Sequence, residues 1–293
     1  MKTKCPSCPL EHQSPSAIRT LRRAGRFWRK SDGRWISRFC CLTCNKTFSR
    51  ATLSENYRQK KRHKNEPVRR LLAGGVSLRE TARILNLNRK TVARKMLVLA
   101  QQAEKELQAS NASHEQALEV EFDELETFEH TKCKPLSVPL MVEYKTRRIL
   151  GFEVASMPAK GKLARISRKK YGFRKDECSQ KRRHLLEKMT AFVSREALIR
   201  SDSHPAYPAE IKLKFPHATH QQILGGRGAI TGQGELKKLK WDPIFSLNHS
   251  CAMLRAHLAR LIRKTWNTTK KPDRLKAHLM IYVAEHNRRL VTI

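Results

Sequence analysis

Acidic residues are scarce: 26 Asp and Glu stand against 61 Lys and Arg, a formal net charge of +35 over 293 residues. An imbalance of that size repels itself and calls for a polyanionic partner. Nucleic acid is the usual one, because phosphate neutralisation releases counterions. Long apolar runs are absent as well. None approaches the roughly 18 residues that a membrane-spanning helix needs. Residues 1–5 lack the apolar core of a signal peptide, so the expectation is a cytoplasmic chain with no membrane partner. Aromatic residues make up only 6%, which argues against widespread base stacking as the binding mode. No internal repeat is present.

What is there begins with cysteine. Five of the eight cysteines fall within residues 1–50. In a reducing compartment they point to metal ligands or buried apolar groups, not to a disulfide frame. Cys5 and Cys8 form one C-x-x-C pair and Cys41 and Cys44 another. Two such knuckles supply four thiolates to a tetrahedral Zn²⁺. Cys40 competes loosely for the third position, and Phe48 is placed to pack beside the second knuckle. So short a module cannot bury enough core alone, which is why a metal matters to it.

Five segments follow from composition and periodicity: a zinc ribbon over 1–50, a basic linker over 51–65, a helix-turn-helix domain over 66–109, a second linker over 110–118, and a third domain over 119–293. In the helix-turn-helix, Ser77 to Glu80 reads as a capping box. Asn86, Leu87 and Asn88 make the turn, and Asn88 caps the next helix. Arg89, Lys90, Thr91 and Arg94 then sit at the start of a recognition helix, suited to bases or phosphates of double-stranded DNA. Val92, Met96, Leu99, Ala103 and Leu107 form a stripe for dimerisation or for packing onto the same domain.

The third domain is mixed. Strand character appears at 120–122, 137–144 and 149–155, and a short apolar run at 197–201. Helices are expected over 185–193, 247–265 and 272–286, the second with Leu247, Leu254, Leu258 and Leu261 on one face. Acids cluster at Glu119 to Glu126, where Glu121 and Asp123 share one face of a strand. Asp202 follows the apolar run. Two carboxylates at the ends of adjacent strands can hold Mg²⁺. Singly, Asp123 also reads as a surface carboxylate and Asp202 as a turn residue. Between them, Lys160 to Arg183 carries eleven Lys and Arg, a surface suited to tracking phosphates.

The module order resembles a known family. Glu121-Phe122-Asp123-Glu124, the run Ser201-Asp202-Ser203-His204-Pro205-Ala206-Tyr207, and Leu247-Asn248-His249-Ser250-Cys251-Ala252-Met253-Leu254-Arg255 are similar to stretches of the DDE-type insertion-sequence transposases that carry an N-terminal zinc ribbon. The resemblance implies a ribonuclease H-like catalytic domain with Asp123 on its first strand and Asp202 on its fourth. It implies Mg²⁺ or Mn²⁺ as cofactor beside a structural Zn²⁺. It also implies terminal inverted repeats and target DNA as partners, and a homo-oligomer in the synaptic complex.

One position departs from the family. Its third acidic residue lies seven positions before a basic one. Here Arg255 is that basic residue, expected on DNA phosphate, and Asn248 stands where the acid belongs. An amide carbonyl can ligate a hard cation without neutralising it. Glu235 and His249 are the rivals, in that order. The alternative function is a non-catalytic zinc-ribbon and helix-turn-helix regulator, or an inactive transposase copy.

Overall fold

A computed structural model describes residues 5–8, 21–30, 33–224, 242–261 and 268–291. The chain divides into two compact units, Met1–Pro67 and Val68–Ile293.

In the first unit, β1 (Leu21–Arg29), β2 (Arg34–Cys41) and β3 (Thr47–Ser49) form an antiparallel meander in that order. β1 and β2 carry apolar residues only at intervals, with six arginines among them. Their buried apolar set is accordingly small: Cys5, Cys41 and Phe48, with Leu21 and Phe39 against them. Residues 51–65, expected as a bare basic linker, carry most of one short 3-10 turn, Arg50–Leu53, and all of a second, Arg62–Lys64. Asn65 donates to Asn56 Oδ1 and Gln59 Oε1 at 2.8 and 3.1 Å, which orders the segment.

The second unit is mixed α/β. After α1 (Asn65–Ala73), α2 (Leu78–Ile84) and α3 (Arg89–Ser113) come β4 (Ala117–Phe128), β5 (Pro135–Glu143), β6 (Ile149–Phe152) and β7 (Ala155–Ser156). Helices α4 (Leu163–Tyr171) and α5 (Cys178–Met189) lead to β8 (Val193–Asp202). Then follow α6 (Tyr207–Lys214), β9 (Thr219–Ile223), α7 (Phe245–His257) and α8 (Pro272–Val291). The sheet runs in the order β6-β5-β4-β8-β9, with β7 on β5. β4, β5 and β6 are antiparallel neighbours; β8 and β9 run parallel to β4. Among the described residues no helix is long and apolar enough to cross a membrane.

The apolar run of β5 is explained by burial on both faces. Val120 and Phe122 of β4 face a core with Leu185, Leu186 and Ile211. Leu125, one pleat over, faces the other core with Leu247, Leu275 and Ile281.

That second core also takes in the helix-turn-helix. Val68, Leu72, Ala82, Val92 and Met96 belong to it, so the segment 66–109 is not packed apart. Its stripe of Val92, Met96, Leu99, Ala103 and Leu107 is buried, and α3 lies along α8 of the same chain. Where a linker was expected at 110–118, α3 continues to Ser113 and β4 starts at Ala117. The reason is Asn111. Its amide donates to Leu150 O at 2.8 Å and accepts from Arg148, closing groups on β6 that the sheet leaves unpaired. Asn287 of α8 does the same for both backbone groups of Ile149. The helix expected over 247–265 ends at His257, while Leu247, Leu254, Leu258 and Leu261 are all buried as its pattern requires.

His278 of α8 supplies a test of this packing. It is fully buried and its Nε2–H donates to Leu72 O at 2.9 Å, while Nδ1 has no partner. Burial pushes its pKa down to about 4, with Arg260 adding to the shift. A base with a lowered folded pKa stabilises the fold above its unfolded value and loses that contribution as pH falls. Stability should therefore drop by about 3 kcal/mol between pH 6.5 and 4. Denaturant melts of His278→Gln against the parent should show this acid limb flattened; an unchanged limb would exclude His278 as its source.

Candidate metal centre and carboxylate site

The four cysteines converge. Cys5 Sγ lies 3.7 Å from Cys44 Sγ, and Cys8 Sγ lies 3.6 Å from Cys41 Sγ. All four ligand atoms fall within 4.8 Å of one another. A tetrahedron with Zn–S bonds of about 2.3 Å has edges of about 3.8 Å, so the set fits that ion. The second knuckle is built by backbone. Asn45 takes a left-handed conformation at φ 55° and donates its N–H to Cys41 O at 2.8 Å. The N–H groups of Cys44 and then Thr43 point at the Cys41 sulfur and lower its pKa to about 6, against the opposing effect of burial. Such donors favour the thiolate that a metal needs. Phe48 packs on the cluster, as its place after the knuckle predicts. Cys40, the competing ligand, turns away to the carbonyl of Cys41 at 3.8 Å. The first unit thus carries a four-cysteine cluster able to hold a structural metal such as zinc.

In the helix-turn-helix, Ser77 Oγ accepts the Glu80 N–H at 3.2 Å and Asn88 Oδ1 accepts the Lys90 N–H at 2.8 Å. Both helices begin where the sequence puts their caps. Asn86 makes the turn at φ 50°, in the left-handed region asparagine tolerates. Leu87 and Val92 are buried, and Arg89, Lys90 and Arg94 are exposed with Thr91 half-buried beside them.

The carboxylates are positioned by the β4–β8 pairing. Phe122 pairs with Ser201 in parallel register, so Asp123 and Asp202 are the next residues on neighbouring strands. Residues in register on adjacent strands lie about 4.8 Å apart and point to the same face. Asp123 Oδ1 accepts the Glu124 N–H at 2.6 Å and the Tyr207 hydroxyl at 3.3 Å. Asp202 Oδ1 accepts the His204 N–H at 3.1 Å. Burial raises the Asp123 carboxyl to about 6; the N–H of Glu124 opposes that shift and the charge of Asp202 adds to it. Among the described residues neither aspartate has an ion pair with a cationic side chain. Two such groups, oxygen-only and mutually repelling, suit a hard divalent cation.

Asn248, on α7, is exposed and donates to Asp242 Oδ2 at 2.9 Å. His249 turns the other way. Its Nε2 lies 3.4 Å from Arg147, and burial followed by that guanidinium lowers its pKa. Glu235 lies outside the described residues. Arg255 is half-buried and lines a cleft of about 440 Å³ beyond Leu125, with Arg260 and Lys132 on the same walls.

Four neighbours of the pair have contacts that the sequence does not assign. Tyr207 donates to Asp123 and stacks on His204 at 4.7 Å. Cys251 is the α7 side chain that feels Asp123: burial first, then that carboxylate, push it up to about 12. Glu121 is fully buried and accepts the Leu247 N–H at 2.6 Å, tying α7 to β4. Arg182 bridges Glu210 at 2.6 Å and Glu124 at 3.3 Å behind the site. Only the i+2 alternation of Glu121 and Asp123 hinted at any of these. Arg182→Ala should cost about 3–5 kcal/mol, because it removes the guanidinium shared by two largely buried carboxylates and leaves Glu210 mainly the Ser179 hydroxyl. Thermal melts check this, and a loss under 1 kcal/mol would make the bridge a solvated pair.

No protein-family model matches the chain, and no curated protein matches it. By its own architecture it is a mixed α/β protein. More particularly, it is one with a four-cysteine cluster able to hold a structural metal near its N-terminus.

Proposed function

We propose that the chain is a DDE-type transposase that binds the terminal inverted repeats of an insertion sequence and carries out metal-dependent strand cleavage and transfer. The observation that carries this reading is the parallel β4–β8 pairing, which sets Asp123 and Asp202 side by side. A ribonuclease H-like catalytic domain is the fold proposed for residues 119–293. In its support, three antiparallel strands are followed by two parallel ones on the far side of the first. The exposed Arg89, Lys90 and Arg94 support duplex recognition, and the charge of +35 supports a nucleic-acid partner.

Asp123 and Asp202 would hold Mg²⁺ or Mn²⁺, with Asn248 as the third position. The bound cation supplies activation of water or a 3′-hydroxyl and stabilisation of the leaving oxygen. The protein's own groups do the rest. Tyr207 and the Glu124 N–H fix the Asp123 carboxylate. The His204 N–H fixes Asp202. Arg255 neutralises a phosphate along the cleft beyond β4. The alternative, a non-catalytic DNA-binding regulator, draws on one observation: position 248 is an uncharged amide already engaged with Asp242.

The deciding experiment incubates the protein with labelled DNA carrying its own element ends, with Mg²⁺ or Mn²⁺, beside Asp202→Asn. Nicking at the ends that needs the metal and is lost in the variant upholds the enzyme. Equal binding without nicking in both proteins moves the reading to the regulator.

A further inference from the structure

The β1–β2 hairpin carries more exposed aromatic surface than a ribbon of its size needs. Trp28 and Trp35 face each other across the strands, 5.6 Å apart and edge to face. They are 49% and 56% exposed. Neither indole belongs to the cluster around the four cysteines. The Arg26 guanidinium lies 4.8 Å over the Trp35 ring.

Along the hairpin runs a groove of about 880 Å³, lined by Arg23, Arg26, Arg38 and Arg50 together with Trp35. Among the described residues none of these four arginines has an ion pair. The first unit's described carboxylates are Glu55 and Glu66 alone, and neither lines the groove. Unneutralised guanidinium groups in a row match a chain of phosphates. Half-exposed indoles at its end match the faces of bases. A duplex hides base faces in its stack, whereas a single strand presents them.

We propose that this hairpin is a binding site for single-stranded DNA, with the arginine groove on the phosphates and Trp28 and Trp35 stacked on unpaired bases. The site is separate from the helix-turn-helix, whose residues suit a duplex. It rests on the DNA-binding half of the proposed function and not on strand cleavage. It would let the protein hold a strand exposed when an end is opened.

The test measures affinity of the whole, zinc-loaded protein for an oligothymidylate of about 16 nucleotides and for a duplex of the element end. Trp28→Ala with Trp35→Ala should weaken oligothymidylate binding by about thirtyfold or more, the loss of two stacked bases. Trp28→Phe with Trp35→Phe should restore most of it. Arg89→Ala with Lys90→Ala should weaken the duplex and leave the oligothymidylate in place. Unchanged affinity in the double alanine variant, with zinc content intact, overturns the proposal. So does a loss confined to Arg23→Ala and Arg38→Ala, which would leave a phosphate groove without stacking. If the alanine variant loses its zinc, a protein with Trp241 and Trp266 replaced by phenylalanine reads the same contact. Its remaining indole emission should be quenched by oligothymidylate, and unquenched emission overturns the site. Loss of nicking with oligothymidylate binding preserved would count against the proposed catalysis and not against the hairpin.

Discussion

Asp202→Asn is expected to lower metal-dependent nicking by about a thousandfold or more. The variant keeps an oxygen to accept the His204 N–H, so the local turn is preserved and only the charge is lost. A metal bound between two carboxylates contributes several kcal/mol to a phosphoryl-transfer transition state, and each 1.36 kcal/mol is tenfold in rate. Asp123→Asn should cost as much, because its register partner then stands alone. DNA binding by both variants should stay within a few-fold of the parent. The measurement is single-turnover nicking of end DNA at saturating protein, beside a thermal melt. Nicking retained in both variants would sink the strand-transfer reading.

Position 248 enters the same experiment. Its amide is exposed and paired with Asp242, so a glutamate there adds charge without disturbing a core. Asn248→Glu should tighten Mn²⁺ binding by about tenfold if α7 supplies the third ligand, a gain of about 1.4 kcal/mol. Without a cation to share, the introduced carboxylate and Asp242 repel and the melting temperature falls instead. A tighter metal with a higher nicking rate marks 248 as part of the site; a weaker fold with no change in metal affinity removes it.

How much of this could be read from the sequence differs by element. The knuckles were legible because C-x-x-C spacing is local, and the cap residues Ser77 and Asn88 were legible for the same reason. Each acts within three residues of itself. The run of β5 announced a buried strand by composition alone. The boundary at 110–118 was not legible. Ser110 to His114 reads as polar loop, yet Asn111 is buried because a β6 carbonyl about forty residues away needs its amide. The stripe of α3 left its partner open, since α8 lies far along the chain. Asp123 beside Asp202 was suggested by family resemblance and by strand character, but their register depends on β4 and β8 pairing across a helical crossover. The Glu121 contact with α7 and the Arg182 bridge are long-range in the same way. Composition is silent on placement: few as the aromatics are, two of them lie opposite each other on one exposed hairpin, through a strand pairing that a residue count does not carry.

Removing the metal from the four-cysteine cluster should unfold the first unit and spare the second. Among the described residues only Cys5, Cys41 and Phe48 are buried apolar groups of that unit's core, far fewer than a free-standing module requires. Binding of a structural zinc by such a module is worth about 10–16 kcal/mol at neutral pH, and that energy is its folding energy. Cys41→Ser should therefore abolish zinc uptake, and a strong chelator should produce the same state in the parent protein. The Trp28–Trp35 pair reports it, since its edge-to-face geometry is lost with the strands and the near-ultraviolet dichroism falls. Cys40→Ser is the control: its sulfur points to a backbone carbonyl and lies outside the cluster, so zinc stoichiometry should remain one per chain. The second unit has its own two cores, so its melting transition should persist within a few degrees. Zinc retained by Cys41→Ser at unchanged affinity would mean that the four thiols are buried apolar groups and not ligands.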